Sequence, residues 1–206
     1  MTPRVRTLLL GLFALAVLGT LVWKAELFTV QRSGATPSPL ALTPVADRPA
    51  ATFDASLPMV PVGVRRLVPG QRVLIVEYWA PWMRHSGPQA TMLDSLRRSL
   101  PPGDVEVALV CFDPFPSVSR YVGRMRLRLP VLLDLRKDLA AGLPCPSIPY
   151  TYVIDRAGRV AAKQAGEVEW LSAATRAALD SLRAEPTPAP VAPDAPAARS
   201  SNRTVL

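Results

Sequence analysis

The sequence predicts an α/β domain whose sheet is parallel in its first half and antiparallel in its second, and three observations predict it. Two compact runs rich in β-branched residues, Arg72–Tyr78 (RVLIVEY) and Val105–Phe112 (VEVALVCF), flank a stretch carrying one apolar helical stripe. That order and spacing suit a right-handed parallel crossover. Later, Tyr150–Ile154 and Arg159–Lys163 are separated by Asp155–Gly158, whose glycine supplies the left-handed residue a hairpin turn needs.

The chain begins with Arg4 and Arg6, then runs uncharged from Thr7 to Trp23 before Lys24 and Glu26. Seventeen residues, counted from Thr7 to Trp23, sit near the lower limit for crossing about 30 Å of hydrocarbon. A retained anchor is favoured over a cleaved signal peptide, because large residues and charges follow the apolar run where small residues would mark cleavage. The two arginines hold residues 1–6 in the cytoplasm and place the rest outside it, in a single-pass protein of the cytoplasmic membrane. Residues 24–50 read as a proline-rich linker, 51–184 as the folded domain and 185–206 as a disordered tail rich in proline and alanine.

Within the domain each element has its signal. Strand Arg72–Tyr78 follows Pro69 and Gly70. Gln89, Leu93, Leu96 and Leu100 mark the first helix, which Pro101, Pro102 and Gly103 stop. Ser117–Met125 reads as a second helix with Val118, Tyr121 and Val122 inward. Val131–Leu133 is a short apolar segment after Pro130, and a brief helix is expected near Lys137–Ala141. Leu171, Ala174, Thr175, Ala178 and Leu182 predict a terminal helix.

Composition excludes several function classes. From Ala51 to Ala184 there are 17 Lys and Arg against 12 Asp and Glu, a modest excess of +5. Arg120, Arg124, Arg126 and Arg128 form the densest basic cluster, which reads first as a solvated helix face and second as a contact for anionic lipid headgroups. No aromatic interleaving accompanies it, so no nucleic-acid partner is expected. No metal-ligand spacing or cofactor motif is present, so neither a metal nor a small-molecule cofactor is expected. Cys111 and Cys145 permit at most one internal disulfide and form no CxxC pair.

The segment WAPWMRHS, Trp79 to Ser86, resembles the WAxWCxxC active-site motif of the thioredoxin family with both cysteines replaced, by Met83 and Ser86. Ile148, Pro149, Tyr150 and Thr151, running into YVIDRAGRV and later Gly166, resemble that family's Ile/Val-Pro-Thr segment and the strand, IDxxG turn and strand that follow. Met83 and Pro149 lie 66 positions apart, and VLLD between them resembles the central insert of TlpA/ResA-type proteins. The resemblance covers roughly Phe53 to Leu182. It implies a thioredoxin fold (βαβ, then ββα, around a mixed sheet), Pro149 as the cis-proline, an amino-terminal anchor and an extracytoplasmic setting.

The resemblance also defines what chemistry is missing. In that family the first cysteine lies at a helix N-terminus, where free N–H groups and the dipole stabilise a thiolate. Met83 is a thioether, and the Ser86 hydroxyl cannot resolve a mixed disulfide. Glu77 falls where the family often carries a buried acid; burial would raise its pKa, and Ser86 is its expected hydrogen-bond partner. Ser86, Glu77 and His85 have the residue types of a hydrolytic triad, yet adjacent residues on a helical turn do not face each other.

Two readings of function follow, beside a third in which the domain is a purely structural subunit of an envelope assembly. In the first, a groove formed by Trp82, Met83, His85, Ser86, Ile148 and Pro149 binds an extended partner polypeptide in the cell envelope without dithiol exchange. In the second, Cys145, four positions before Pro149, acts as a relocated redox thiol with or without Cys111. By the resemblance, the strand ending at Cys111 approaches the loop bearing Cys145, so a disulfide between them is a further alternative, beside simple packing roles for both.

Overall fold

The computed structural model describes residues 36–186. The expected anchor at 7–23 and the tail past Pro186 lie outside the described residues. Ten elements follow in order: β1 (Ala55–Val60), β2 (Val64–Leu67), β3 (Val73–Tyr78), α1 (Ser86–Ser99), β4 (Val105–Cys111), α2 (Phe115–Met125), β5 (Val131–Leu133), β6 (Tyr150–Ile154), β7 (Val160–Ala165) and α3 (Ala173–Ala184). The seven strands form one sheet in the order β2-β1-β5-β4-β3-β6-β7. β3 and β5 run parallel to β4, and the remaining neighbours pair antiparallel.

Successive side chains of a strand point to opposite faces, so β3 and β4, apolar throughout their central parts, supply two cores at once. On one face Val73, Ile75, Val105, Val107 and Leu109 meet Leu93 and Leu96 of α1, Val118 of α2, and Leu179 and Leu182 of α3. On the other, Leu74, Val76, Tyr78, Ala108 and Val110 meet Leu57, Leu67, Leu139 and Leu143. A fully buried leucine of this kind contributes roughly 2–3 kcal/mol relative to exposure. The 3.6-residue stripe of α1 is what matches it to the first face.

The turn between β6 and β7 takes the expected form: Asp155 N donates to Arg159 O at 2.8 Å, and Gly158 has φ +78°. α3 starts on Ser172, whose hydroxyl accepts the Thr175 N–H at 3.2 Å, satisfying one of the helix's free donors.

Three expectations are corrected. The brief helix near Lys137–Ala141 is instead a series of turns. Lys137 has φ +61°, and the Asp134 carboxylate accepts the N–H groups of Leu139 at 3.3 Å and Ala140 at 2.9 Å, so the side chain rather than a helical ladder organises this stretch. The β1–β2 hairpin was not anticipated, because Pro58 and Pro61 argue against a strand; as the outermost pair of the sheet it tolerates them.

The third correction concerns the linker. Residues 36–50 dock along β7: Thr43 N donates to Ala161 O, Val160 N to Pro49 O and Ala51 N to Gly158 O, each at 2.8 Å. Leu40 is buried, with its N–H donating to Thr175 Oγ1 at 3.0 Å. The buried Arg48 guanidinium donates to Asp155 Oδ2 at 3.0 Å and to Glu185 Oε2 at 2.8 Å. The folded unit therefore begins before Ala51 and includes Glu185, which composition had placed in the tail.

Candidate functional site

The site is built where β3 gives way to α1. Trp79 and Ala80 continue β3 into the core, and Trp79 N donates to Val110 O at 3.0 Å. The chain then turns twice, with Met83 N donating to Ala80 O and Ser86 N to Met83 O, both at 3.1 Å. The Ser86 hydroxyl closes this loop by accepting the Ala80 N–H at 3.2 Å, and the residue is fully buried at the first position of α1. Ser86 is thus a structural brace, and its hydroxyl does not face solvent.

The same end of the sheet carries Pro149. The register Tyr78↔Tyr150 sets the chain leaving β3 beside the chain entering β6. The Ile148–Pro149 peptide is cis, Pro149 is buried and Ile148 half-buried. Residues 166–168 tie the two sides together. Gly166 N donates to Pro149 O at 2.9 Å, and His85 Nδ1 lies 2.9 Å from Glu167 Oε1. The Gln89 amide also clasps the Val168 backbone, donating to its carbonyl at 3.1 Å and accepting its N–H at 3.3 Å. Trp82 stands out from this assembly at 62% exposure, with Met83 half-buried beside it and His85 exposed.

Glu77 is 1% exposed on the helix-covered face, beneath this loop. Burial pushes its carboxyl up to about 8, a hydrogen bond from Trp170 offsets part of that, and the charge of Glu167 adds to it. The Trp170 indole N–H donates to Glu77 Oε2 at 3.2 Å. Oε1 has no hydrogen-bond partner among the described residues, and neither does Thr151 Oγ1, on the residue directly opposite Glu77 across β3 and β6. Burial beside a single neutral donor therefore favours the protonated form of Glu77.

The expected partnership of Glu77 with Ser86 is corrected: Trp170 takes the acid and Ala80 takes the hydroxyl. The triad of Ser86, Glu77 and His85 is not assembled either, since His85 pairs with Glu167. Sequence reasoning missed Trp170, Glu167 and the buried amide of Gln89, which it had counted only within the apolar stripe. The signal lay in GEVEW, a short polar segment ending in a large aromatic between β7 and α3.

The two cysteines are free. Cys111 follows Val105, Val107 and Leu109 onto the helix-covered face, whereas Cys145 packs against the opposite core beside Leu143 and Tyr152. The sheet itself separates them, which corrects the expectation of bonding range. Burial raises the Cys111 thiol to about 12, its Sγ lying 3.3 Å from Asp113 Oδ2. Burial likewise raises Cys145 to about 11, its thiol donating to Ser147 O at 3.1 Å. Both are protonated at neutral pH, the state in which a thiol is a poor nucleophile.

A parallel β3–α1–β4 unit followed by the antiparallel β6–β7 pair and α3, with a cis-proline entering β6, defines a thioredoxin fold. Solved structures of that fold superpose on the chain. A thiol:disulfide interchange protein of the thioredoxin family from Chlorobium tepidum does so with TM-score 0.57 at 17% identity, covering 66% of this chain and 97% of its own. A thiol-disulfide isomerase from Corynebacterium glutamicum gives 0.55 at 18%, covering 69% and 100%. StoA from Bacillus subtilis gives 0.53 at 14%, covering 64% and 98%. No protein-family model and no curated protein matches the chain.

Proposed function

We propose that this protein is a membrane-anchored, extracytoplasmic thioredoxin-fold module that binds an extended polypeptide beside Trp82, Met83, Ile148 and Pro149, and performs no dithiol exchange at that site. The observation that carries this reading is the state of α1's first turn: Met83 replaces the attacking sulfur, and the Ser86 hydroxyl is spent on the Ala80 N–H in a fully buried position. An exposed Trp82 next to a backbone turn at the cis-proline offers an aromatic platform and main-chain groups, the two ingredients of strand-like peptide capture. The uncharged run from Thr7 to Trp23 behind Arg4 and Arg6 supports the anchor and its orientation.

Photo-crosslinking residues placed at Met83 and Ile148 of the full chain, in its native envelope, test this. A discrete polypeptide adduct is expected from both positions and none from Asp180 on the exposed face of α3. In parallel, the full chain is expected to reduce insulin no faster than buffer, and Cys145→Ser is expected to change nothing. Turnover that Cys145→Ser abolishes would replace this reading with the relocated-thiol enzyme.

A further inference from the structure

We propose that a cleft flanking Trp82 receives the carboxylates of an acidic segment of the partner polypeptide. This rests on the polypeptide-binding reading above and gives that partner a chemistry. The cleft encloses about 530 Å³ between the Trp82 loop and α2, with Asp113, Ser117, Arg120, Tyr121 and Arg124 on its walls.

Charge is distributed unevenly over this molecule. Arg48, Arg65, Arg66, Arg72, Arg98, Arg136, Arg159 and Arg183 each have a carboxylate within 4.0 Å. Among the described residues Arg84, Arg97, Arg120, Arg124, Arg126, Arg128, Arg156 and Arg176 have none, and four of these eight fall between Arg120 and Arg128, all four exposed. From Pro114 to Pro130 the chain contains no Asp or Glu at all. A solvated helix face would ordinarily mix signs as the rest of this surface does, so a one-signed stretch bordering an exposed tryptophan creates a local positive potential that attracts anions.

The cleft is also shaped for a particular kind of anion. The Arg124 guanidinium sits 5.7 Å over the Tyr121 ring, which holds it in place. Arg120 spends its Nε on Pro116 O at 3.0 Å, and its two terminal nitrogens have no partner among the described residues. Guanidinium groups presented this way suit carboxylates, which they grip through paired hydrogen bonds. The Asp113 carboxylate on the wall repels any anion set against it, carboxylate and phosphate alike, but it accepts an N–H. A polypeptide brings N–H donors alongside its carboxylates, whereas a lipid phosphate does not. Trp82, Tyr121 and Arg are moreover the residue types that dominate protein interfaces energetically.

The test uses the full chain in phosphatidylcholine nanodiscs and a fluorescein-labelled peptide rich in Glu around a central Leu, followed by anisotropy, with the Gln-for-Glu peptide as control. The Glu peptide is expected to bind and the Gln peptide not. Binding should weaken about tenfold in the double variant Arg120→Glu/Arg124→Glu, two exposed charge pairs being reversed. Trp82→Ala should weaken it while leaving its salt dependence in place. Absence of Glu-peptide binding, equal binding of the Gln peptide, or binding indifferent to the double variant would each overturn the proposal. So would binding of phosphatidylglycerol vesicles, instead of the peptide, with the same arginine dependence. A Met83 crosslink that survives in the double variant would remove this proposal alone and leave the polypeptide-binding reading standing, whereas loss of every crosslink in the unaltered chain would remove that reading.

Discussion

Asp155 and Glu77, two of the carboxylates buried in this domain, are treated in opposite ways. Asp155, fully buried at the turn between β6 and β7, is surrounded by donors: Arg48 at 3.0 Å, Arg159 at 2.9 Å, and the backbone N–H groups of Ala157 and Arg159, both at 2.9 Å. Glu77, in the middle of the sheet, has one neutral indole donor and an oxygen with no partner among the described residues. A buried charge persists where its partners replace water, and otherwise the group keeps its proton. Asp155 ties two chain segments together through its surrounding donors, while Glu77 lies under the α1 loop with its carboxyl pushed up by burial.

The largest expected effect breaks the first half of that contrast. Arg48→Ala removes a buried partner from Asp155 and frees Glu185, and is expected to destabilise the fold by about 3–5 kcal/mol in urea titrations. A loss below about 1 kcal/mol would mean Arg159 alone suffices.

The second acts on Glu77. Its folded pKa of about 8 stands above the unfolded 4.5, so the folded chain binds the extra proton between those values. Stability from this group is therefore complete below pH 4.5, falls as pH rises from there to about 8, and levels off above. Glu77→Gln is expected to flatten that slope and to stabilise the domain by about 3 kcal/mol at pH 7, from 1.36 kcal/mol per pKa unit. An unchanged slope would show that Glu77 is ionised in the fold.

The smallest concerns the residue opposite. Thr151→Val removes a buried hydroxyl that has no partner among the described residues, at nearly constant volume, and is expected to shift stability by less than about 1 kcal/mol, in the favourable direction. A clear loss would reveal a hydrogen bond between Thr151 and Glu77.

The sequence was most legible where burial is double-sided. β3, β4, β5 and β6 are predominantly apolar runs preceded by glycine or proline, so their limits could be read to within a residue. The β1–β2 hairpin was hidden because its prolines are tolerated only at a sheet edge, and edge position is a tertiary fact. The docking of 36–50 was hidden for a related reason: Leu40 and Leu42 stand among prolines, and composition registers the prolines first.

For the site, the absence of a CxxC pair was plain, and so was a buried acid at Glu77. Its partner was not, because Trp170 is 93 residues away along the chain. The separation of the two cysteines was readable in retrospect, since Cys111 keeps the odd-numbered parity of Val105, Val107 and Leu109.

The segment laid along β7 has a consequence for how the molecule meets others. It takes up part of the hydrogen-bonding row that the last strand would otherwise offer, at Val160 and Ala161, while β2 at the far rim is only four residues long and carries the paired side chains of Arg65 and Arg66. Both flanks of the sheet are thus poor templates for an incoming strand. Copies of the domain at high local concentration are therefore hindered from joining sheet edge to sheet edge.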